Sequence, residues 1–359
     1  MPRFKVGVVS EVVETREGLM RVLVKHDEGE RRASVFTKVT GGVEVGDRVA
    51  VNTTGIDLGL GSGGEDFVLW NLENDEAGEM SGGHILKLRY TPWQIDTLVA
   101  EAPESPHHDL LSAATSIEGM PVIACGLHSQ LAPAAAVIKH LRPEAKIAYV
   151  MSDGAALSMA HSDTVAELKE KAVIDATVTF GHAFGGDYEA INIFTGLLTA
   201  KFPAGCDVAI VAMGPGIVGS GTALGHTEME QGQTVSAAAA LQGRPIAALR
   251  ISFADERERH RGVSHHSIYA LRVAARDKGV VGVPRIEKDR LQLLVDVLDA
   301  EGISKRHDVI VVDEDTEAAL AAFNLHPVSM GRSFNEDPEY FRAAGAAGTL
   351  AVQMLEGTL

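Results

Sequence analysis

Glycine, hydroxyl and histidine residues gather in this chain after apolar runs, where an α/β fold would use them for chemistry. The string Gly214-Pro215-Gly216-Ile217-Val218-Gly219-Ser220-Gly221-Thr222 follows one such run, with His226 and Glu230 soon after it. Glycines let a backbone approach an anionic group closely, and hydroxyls add donors, so Gly214, Gly216, Gly219, Ser220, Gly221 and Thr222 read as an anion-binding loop. A second string, 255–266, begins at Asp255, interleaves Arg257, Arg259 and Arg261 with Glu256 and Glu258, and ends in Ser264-His265-His266. Here Arg259 and His260 would clamp an anion, while His265 or His266, at a helix start capped by Ser264, moves a proton. Adjacent helical side chains point about 100° apart, so at most one of that pair is expected to face a ligand.

Three further loops share this chemistry. His128 and Ser129 follow Cys125-Gly126, Asp153 follows Met151-Ser152, and Gly181 and His182 follow Phe180. The reading gives His128, Ser129, Gly181 and His226 to ligand binding, His182 to proton transfer, and Asp153 or Asp255 to orienting a histidine or binding a metal. His128, Asp153, His182, His226 and His265 could together hold a divalent metal, although no H-E-x-x-H motif fixes their spacing; the alternative is neutral, hydrogen-bonding histidines. Gly214, Gly216 and Gly219 match G-x-G-x-x-G, but Gly221 and Gly225 delay a helix and no acidic residue stands about 20 positions on, Asp255 being the nearest substitute. A dinucleotide is therefore disfavoured. No G-x-S-x-G elbow supports a serine hydrolase, and Cys125 and Cys206, both placed at the ends of buried strands, read as packing residues.

These loops need a scaffold. Residues 1–72 read as a small antiparallel β-barrel, with period-two strands at 4–8, 20–24, 34–39, 48–51 and 67–70 and glycine turns that include 59–64. An acidic, glycine-bearing linker is expected at 73–83, and an α/β ligand-binding domain at 84–359. In the latter, after a strand at 84–89, buried runs at 121–125, 146–151, 175–180, 207–213, 246–253, 280–283 and 308–312 predict a mostly parallel sheet with crossover helices. Thr91-Pro92-Trp93-Gln94 has the spacing of a capping box and predicts a helix start, and Asp337-Pro338 opens a last helix that ends before Gly357.

Composition narrows the function. A chain of 359 residues, 45% hydrophobic and 23% charged, can bury a full core in two domains. Its net charge of -17 repels nucleic acid and anionic lipid, which leaves a small anionic ligand and further copies of the chain as expected partners. Two cysteines and no basic-then-apolar leader point to the cytoplasm.

The strings Gly83-His84-Ile85-Leu86-Lys87-Leu88-Arg89-Tyr90-Thr91-Pro92, Gly214-Pro215-Gly216-Ile217-Val218-Gly219 and Arg259-His260-Arg261-Gly262-Val263-Ser264-His265-His266 resemble a bacterial family known as domain of unknown function 3866, over nearly the whole length. The resemblance implies a bacterial cytoplasmic protein and adds no catalytic residue to those read from the loops. The expectation is therefore an enzyme acting on a small anionic or phosphorylated metabolite. The alternatives are a non-catalytic metabolite-binding or adaptor protein and a dinucleotide-dependent oxidoreductase. Barrel strands pairing edge to edge with another subunit would favour an oligomeric enzyme, and an exposed apolar barrel face an adaptor.

Overall fold

The computed structural model describes residues 2–60, 63–76, 78 and 80–359, so Gly61 and Ser62 of the expected glycine turn and Ala77 and Glu79 of the expected linker lie outside the described residues. The chain divides into two compact units, Met1–Leu98 with Ser158–Asp163, and Val99–Leu157 with Thr164–Leu359.

In the first unit, strands β1 (Phe4–Arg16), β2 (Leu19–His26), β3 (Gly29–Val35), β4 (Arg48–Asn52) and β5 (Asp66–Asn71) form a closed barrel in the order β1-β2-β3-β5-β4. Alternate side chains, among them Val9, Val22, Val24, Ala33, Val35, Val49, Val51 and Val68, fill its interior, as period two requires. Irregularities in its register with β2, between Val9 and Glu11 and between Val12 and Glu14, bend β1 so that it pairs with both β2 and β4. A Cβ at Gly7 would lie 2.5 Å from Val24 Cγ1, which requires glycine where β1 passes β2.

Two expectations change here. The third strand spans Gly29–Val35 rather than 34–39, because the pairing of His26 with Gly29 sets a tight hairpin, and the chain after Phe36 coils into a helical turn. One pair, β3 with β5, is parallel, which closes the barrel without a free edge. The outer side of β1 exposes Phe4, Val6 and Val8. The segment Ser158–Asp163 belongs to this unit: Asp163 accepts from Arg16 and Arg21, and His161 lies against the rings of Phe36 and Phe67.

The unit also holds a small antiparallel ribbon of β6 (Ile85–Lys87) and β7 (Ile95–Thr97). The helix expected at Thr91 is absent. Its hydroxyl instead donates to the Leu88 carbonyl and accepts the Trp93 amide, closing the turn that reverses the ribbon.

In the second unit, β8 (Pro121–Cys125), β9 (Ile147–Ser152), β10 (Ala176–Thr179), β11 (Tyr188–Glu189), β12 (Val208–Met213), β13 (Arg244–Ala248), β16 (Val280–Pro284) and β17 (Asp308–Val312) form one parallel sheet in the order β11-β10-β9-β12-β8-β13-β16-β17. The strand expected at 246–253 is broken. Gln130 Nε2 donates to the carbonyls of Ala248 and Leu249, and the Arg250 amide donates to Ser267 Oγ, so the chain leaves the sheet after Ala248. It then forms β14 (Ile251–Ser252), antiparallel to β15 (Gly262–Val263).

The helix Leu131–Leu141 carries the chain from β8 past β12 to β9, and Glu230–Ala240 carries it from β12 past β8 to β13. The first packs against Thr316–Ala322 and Pro338–Glu356, the second against Ile193–Lys201 and Ala270–Ala274. Adjacent strands β12 and β8 thus send their connections in opposite directions, the switch point at which open α/β sheets bind ligands. The last helix, Pro338–Glu356, ends at Gly357 in the left-handed conformation, as expected. Cys125 ends β8, but Cys206 precedes β12 rather than ending a strand; both are buried and free. Among the described residues no helix is long and apolar enough to cross a membrane.

Candidate metal centre

The β14–β15 ribbon fixes the start of a short helix, His265–Tyr269. Ser264 caps it as expected, its hydroxyl accepting the His266 amide at 3.2 Å. The helix then widens into a π-helical turn, Ala270–Ala274, an irregularity frequent at functional sites. His260 arrives from the turn before β15 and is buried, with Nδ1 2.8 Å from Ser264 Oγ. One potential ligand nitrogen from each of His260, His265 and His266 lies within 4.8 Å of the other two. Two nitrogens on one tetrahedral zinc stand about 3.3 Å apart, given bonds of about 2.0–2.1 Å, so modest ring rotations would complete the set. The ring centroids of His265 and His266 are 4.4 Å apart, because both imidazoles fold back toward His260 at the first helical turn.

Around this set is a buried polar shell. Glu228, with no exposed surface, accepts His266 Nδ1–H at 3.1 Å and the Ser267 hydroxyl at 2.9 Å, and Arg250 stands 3.8 Å away. Burial opposes its ionisation, but the His266 hydrogen bond and the Arg250 charge outweigh that and hold its carboxyl below the usual range. His226 stacks on His266, with centroids 3.8 Å apart and planes 8° apart. In-plane lone pairs of parallel rings cannot meet on one ion, so His226 supports the set rather than joining it. Its Nε2 donates to the Ala223 carbonyl, and its Nδ1 is buried without a partner among the described residues. Burial, followed by nearby positive charge, pushes His260 down to about 3; burial and His266 push His265 down to about 4; His226 is lowered also. All three are neutral near pH 7, the form in which imidazole binds metal.

A family model described as "Protein of unknown function (DUF3866)" matches residues 32–348, which includes every residue of this centre. The chain belongs to the DUF3866 family. No curated protein matches it.

The glycine string of this DUF3866 chain is a bent, mostly exposed loop. It turns back so that Gly219 bridges to His226, and Ser220 and Thr222 hydrogen-bond each other and Gly225. A Cβ at Gly219 would lie 3.4 Å from His266 Cε1, and one at Gly214 would lie 2.5 Å from the Ala156 carbonyl oxygen, while Gly216 and Gly221 take positive φ in the exposed bends. The helix that follows is preceded by Glu228 and opens with Glu230, so carboxylates already stand where its amino terminus would attract an anion. Two other strand-end glycines accommodate them. A Cβ at Gly126 would lie 2.5 Å from Glu228 Cγ, and one at Gly154 would overlap the Glu230 carboxylate, which also accepts from Ser152.

The remaining sequence-derived residues have other partners. Asp153 accepts the His182 amide at 2.8 Å, and Gly181, at φ 67°, turns the chain against that carboxylate. His128 Nδ1 lies 3.1 Å from the Tyr149 hydroxyl and 3.2 Å from the Met213 carbonyl. Ser129 hydrogen-bonds Ser329 and Tyr340 and so ties its loop to the last helix. Of the five groups considered for a metal, only His265 is in the assembled set, with His226 beside it. Asp255 is gripped by Arg257 through two hydrogen bonds, with Arg250 and Arg332 at 3.5 Å. The hydrogen bonds and charge of Arg257 outweigh burial and hold the Asp255 carboxyl far below the usual range, so it is ionised near neutrality. Arg259 is exposed, and its charge acts on His265. Glu228 was missed in the sequence, where it looks like any acidic residue near a helix start; only its burial sets it apart.

Proposed function

We propose that this protein is a metal-dependent enzyme, with one divalent transition-metal ion on His260, His265 and His266 and a small anionic or phosphorylated metabolite as substrate. The observation that carries the reading is the convergence of three imidazole nitrogens within 4.8 Å. Three imidazoles suit zinc and its neighbours, and a three-ligand set leaves a position for water or substrate. An ion held in this way brings the pKa of its bound water to about 7 and polarises a bound oxygen, the chemistry of metal-assisted hydrolysis. His265 is partly exposed, which gives access, and the exposed Arg259 supplies positive charge for an anionic substrate group.

The test is equilibrium dialysis of the full chain against Zn2+ and Co2+, followed by turnover of a panel of phosphate and carboxylate esters before and after chelation. One ion per chain is expected, with loss of binding in a His260→Ala, His265→Ala, His266→Ala variant and loss of turnover on chelation. A wild-type chain that binds no ion, or undiminished binding in the triple variant, removes the reading.

A further inference from the structure

We infer that Glu228 is the positioning residue of the histidine centre: a carboxylate sealed from water that fixes the ring of His266 with its Nε2 lone pair directed at the ion. This rests on the metal reading above and extends it to a residue outside the ligand set.

The geometry is specific. One oxygen of Glu228 accepts Nδ1–H of His266 and the other accepts the hydroxyl of Ser267, so a single carboxylate grips two consecutive residues of the ligand-bearing helix. A proton held on Nδ1 leaves the lone pair on Nε2, the role that outer carboxylates play for metal-ligating histidines. Stacking of His226 on His266 restricts rotation of the ring.

A buried carboxylate is costly unless it is paired, and two features of the fold serve this one. Arg250, itself buried, faces Glu228 at 3.8 Å and Asp255 at 3.5 Å, and Asp255 is in turn held by Arg257 and Arg332. Gly126, at the end of β8, leaves the volume that the Glu228 side chain fills.

The experiment is Co2+ binding to the full chain, by competition with a chromophoric chelator and by visible absorption of the bound ion, for wild type, Glu228→Gln and Ser267→Ala. Nitrogen-15 NMR of the imidazoles reports the His266 tautomer in the same proteins. The expected result for Glu228→Gln is unchanged stoichiometry, affinity about 10–100-fold weaker and an altered absorption band. Ser267→Ala, which keeps the carboxylate and loses one hydrogen bond to it, should bind about fivefold more weakly. Wild-type His266 should carry its proton on Nδ1.

Wild-type affinity and spectrum in folded Glu228→Gln overturn the inference while leaving the metal site standing. If Glu228→Gln does not fold, unchanged affinity in Ser267→Ala or an Nε2–H tautomer of wild-type His266 overturns it. A wild-type chain that binds no Co2+ removes the metal reading and the inference with it.

Discussion

Replacing Gly126 by alanine tests how tightly the sheet and the histidine centre are joined. The added Cβ would sit 2.5 Å from Glu228 Cγ, 2.6 Å from Oε1 and 2.7 Å from Cδ. Ordinary contact needs roughly 3.4–4 Å between carbon atoms, so the carboxylate must retreat by about 1 Å. It is wholly buried and bound by His266 and Ser267, with Arg250 3.8 Å away, so any retreat disturbs those partners. Overpacking of this kind costs about 1–3 kcal/mol, and weakening one hydrogen bond to a charged group costs about 1.5–3 kcal/mol more, which gives about 2.5–6 kcal/mol in all. Urea unfolding monitored by far-ultraviolet circular dichroism should show that loss. Both tryptophans, Trp70 and Trp93, lie in the barrel unit, so their fluorescence reports on that unit separately. Metal affinity should fall together with stability. A dichroism transition within about 0.5 kcal/mol of wild type, the range of a neutral surface change, would refute the packing argument.

Two further outcomes follow from the second unit. Burial pushes both cysteine thiols up, Cys206 to about 12, so neither should react with a thiol reagent at pH 8 until urea exposes both; prompt labelling of either in the native chain contradicts this. Asp187 is partly buried, which opposes ionisation, but hydrogen bonds from Lys169 and Thr177 outweigh that and lower its pKa in the folded state. Its stabilising contribution is therefore present above the unfolded value of about 3.9 and lost as pH falls through the folded value. Asp187→Asn should lower the melting temperature at pH 7, by a gap that narrows as pH falls below the unfolded value and through the folded one, and a gap that does not change with pH would show that the charge is irrelevant.

How much of this could be read in the sequence depended on what set each feature. Strand β8 was legible to the residue, since 121–125 is buried on both faces and Gly126 ends it. The barrel was legible from its alternation, but β3 was misplaced because alternation runs on past Val35, whereas the His26–Gly29 turn decides where pairing begins. Thr91 shows the limit of spacing rules: threonine and glutamine three apart suit a helix start, yet the threonine hydroxyl closes a turn equally well. At the site, polar residues after each strand were visible, and the switch point between β12 and β8 agrees with that emphasis. Which histidines meet was not legible. Four residues separate His260 from His265, and the β14–β15 ribbon and the π-helical turn decide that both reach one point. His128 and Ser129 carry equal promise in sequence and hydrogen-bond Tyr149 and Tyr340 instead.

The excursion Ser158–Asp163 makes the barrel a fold that its own contiguous sequence does not finish. Arg21 is buried, and Asp163 supplies one of its acidic partners from far along the chain, while His161 covers two aromatic rings that Met1–Leu98 alone would leave bare. A gene fragment ending at residue 98 would thus encode the strands of the barrel without Asp163 and His161. Transferring that unit to another protein would require the hexapeptide to travel with it.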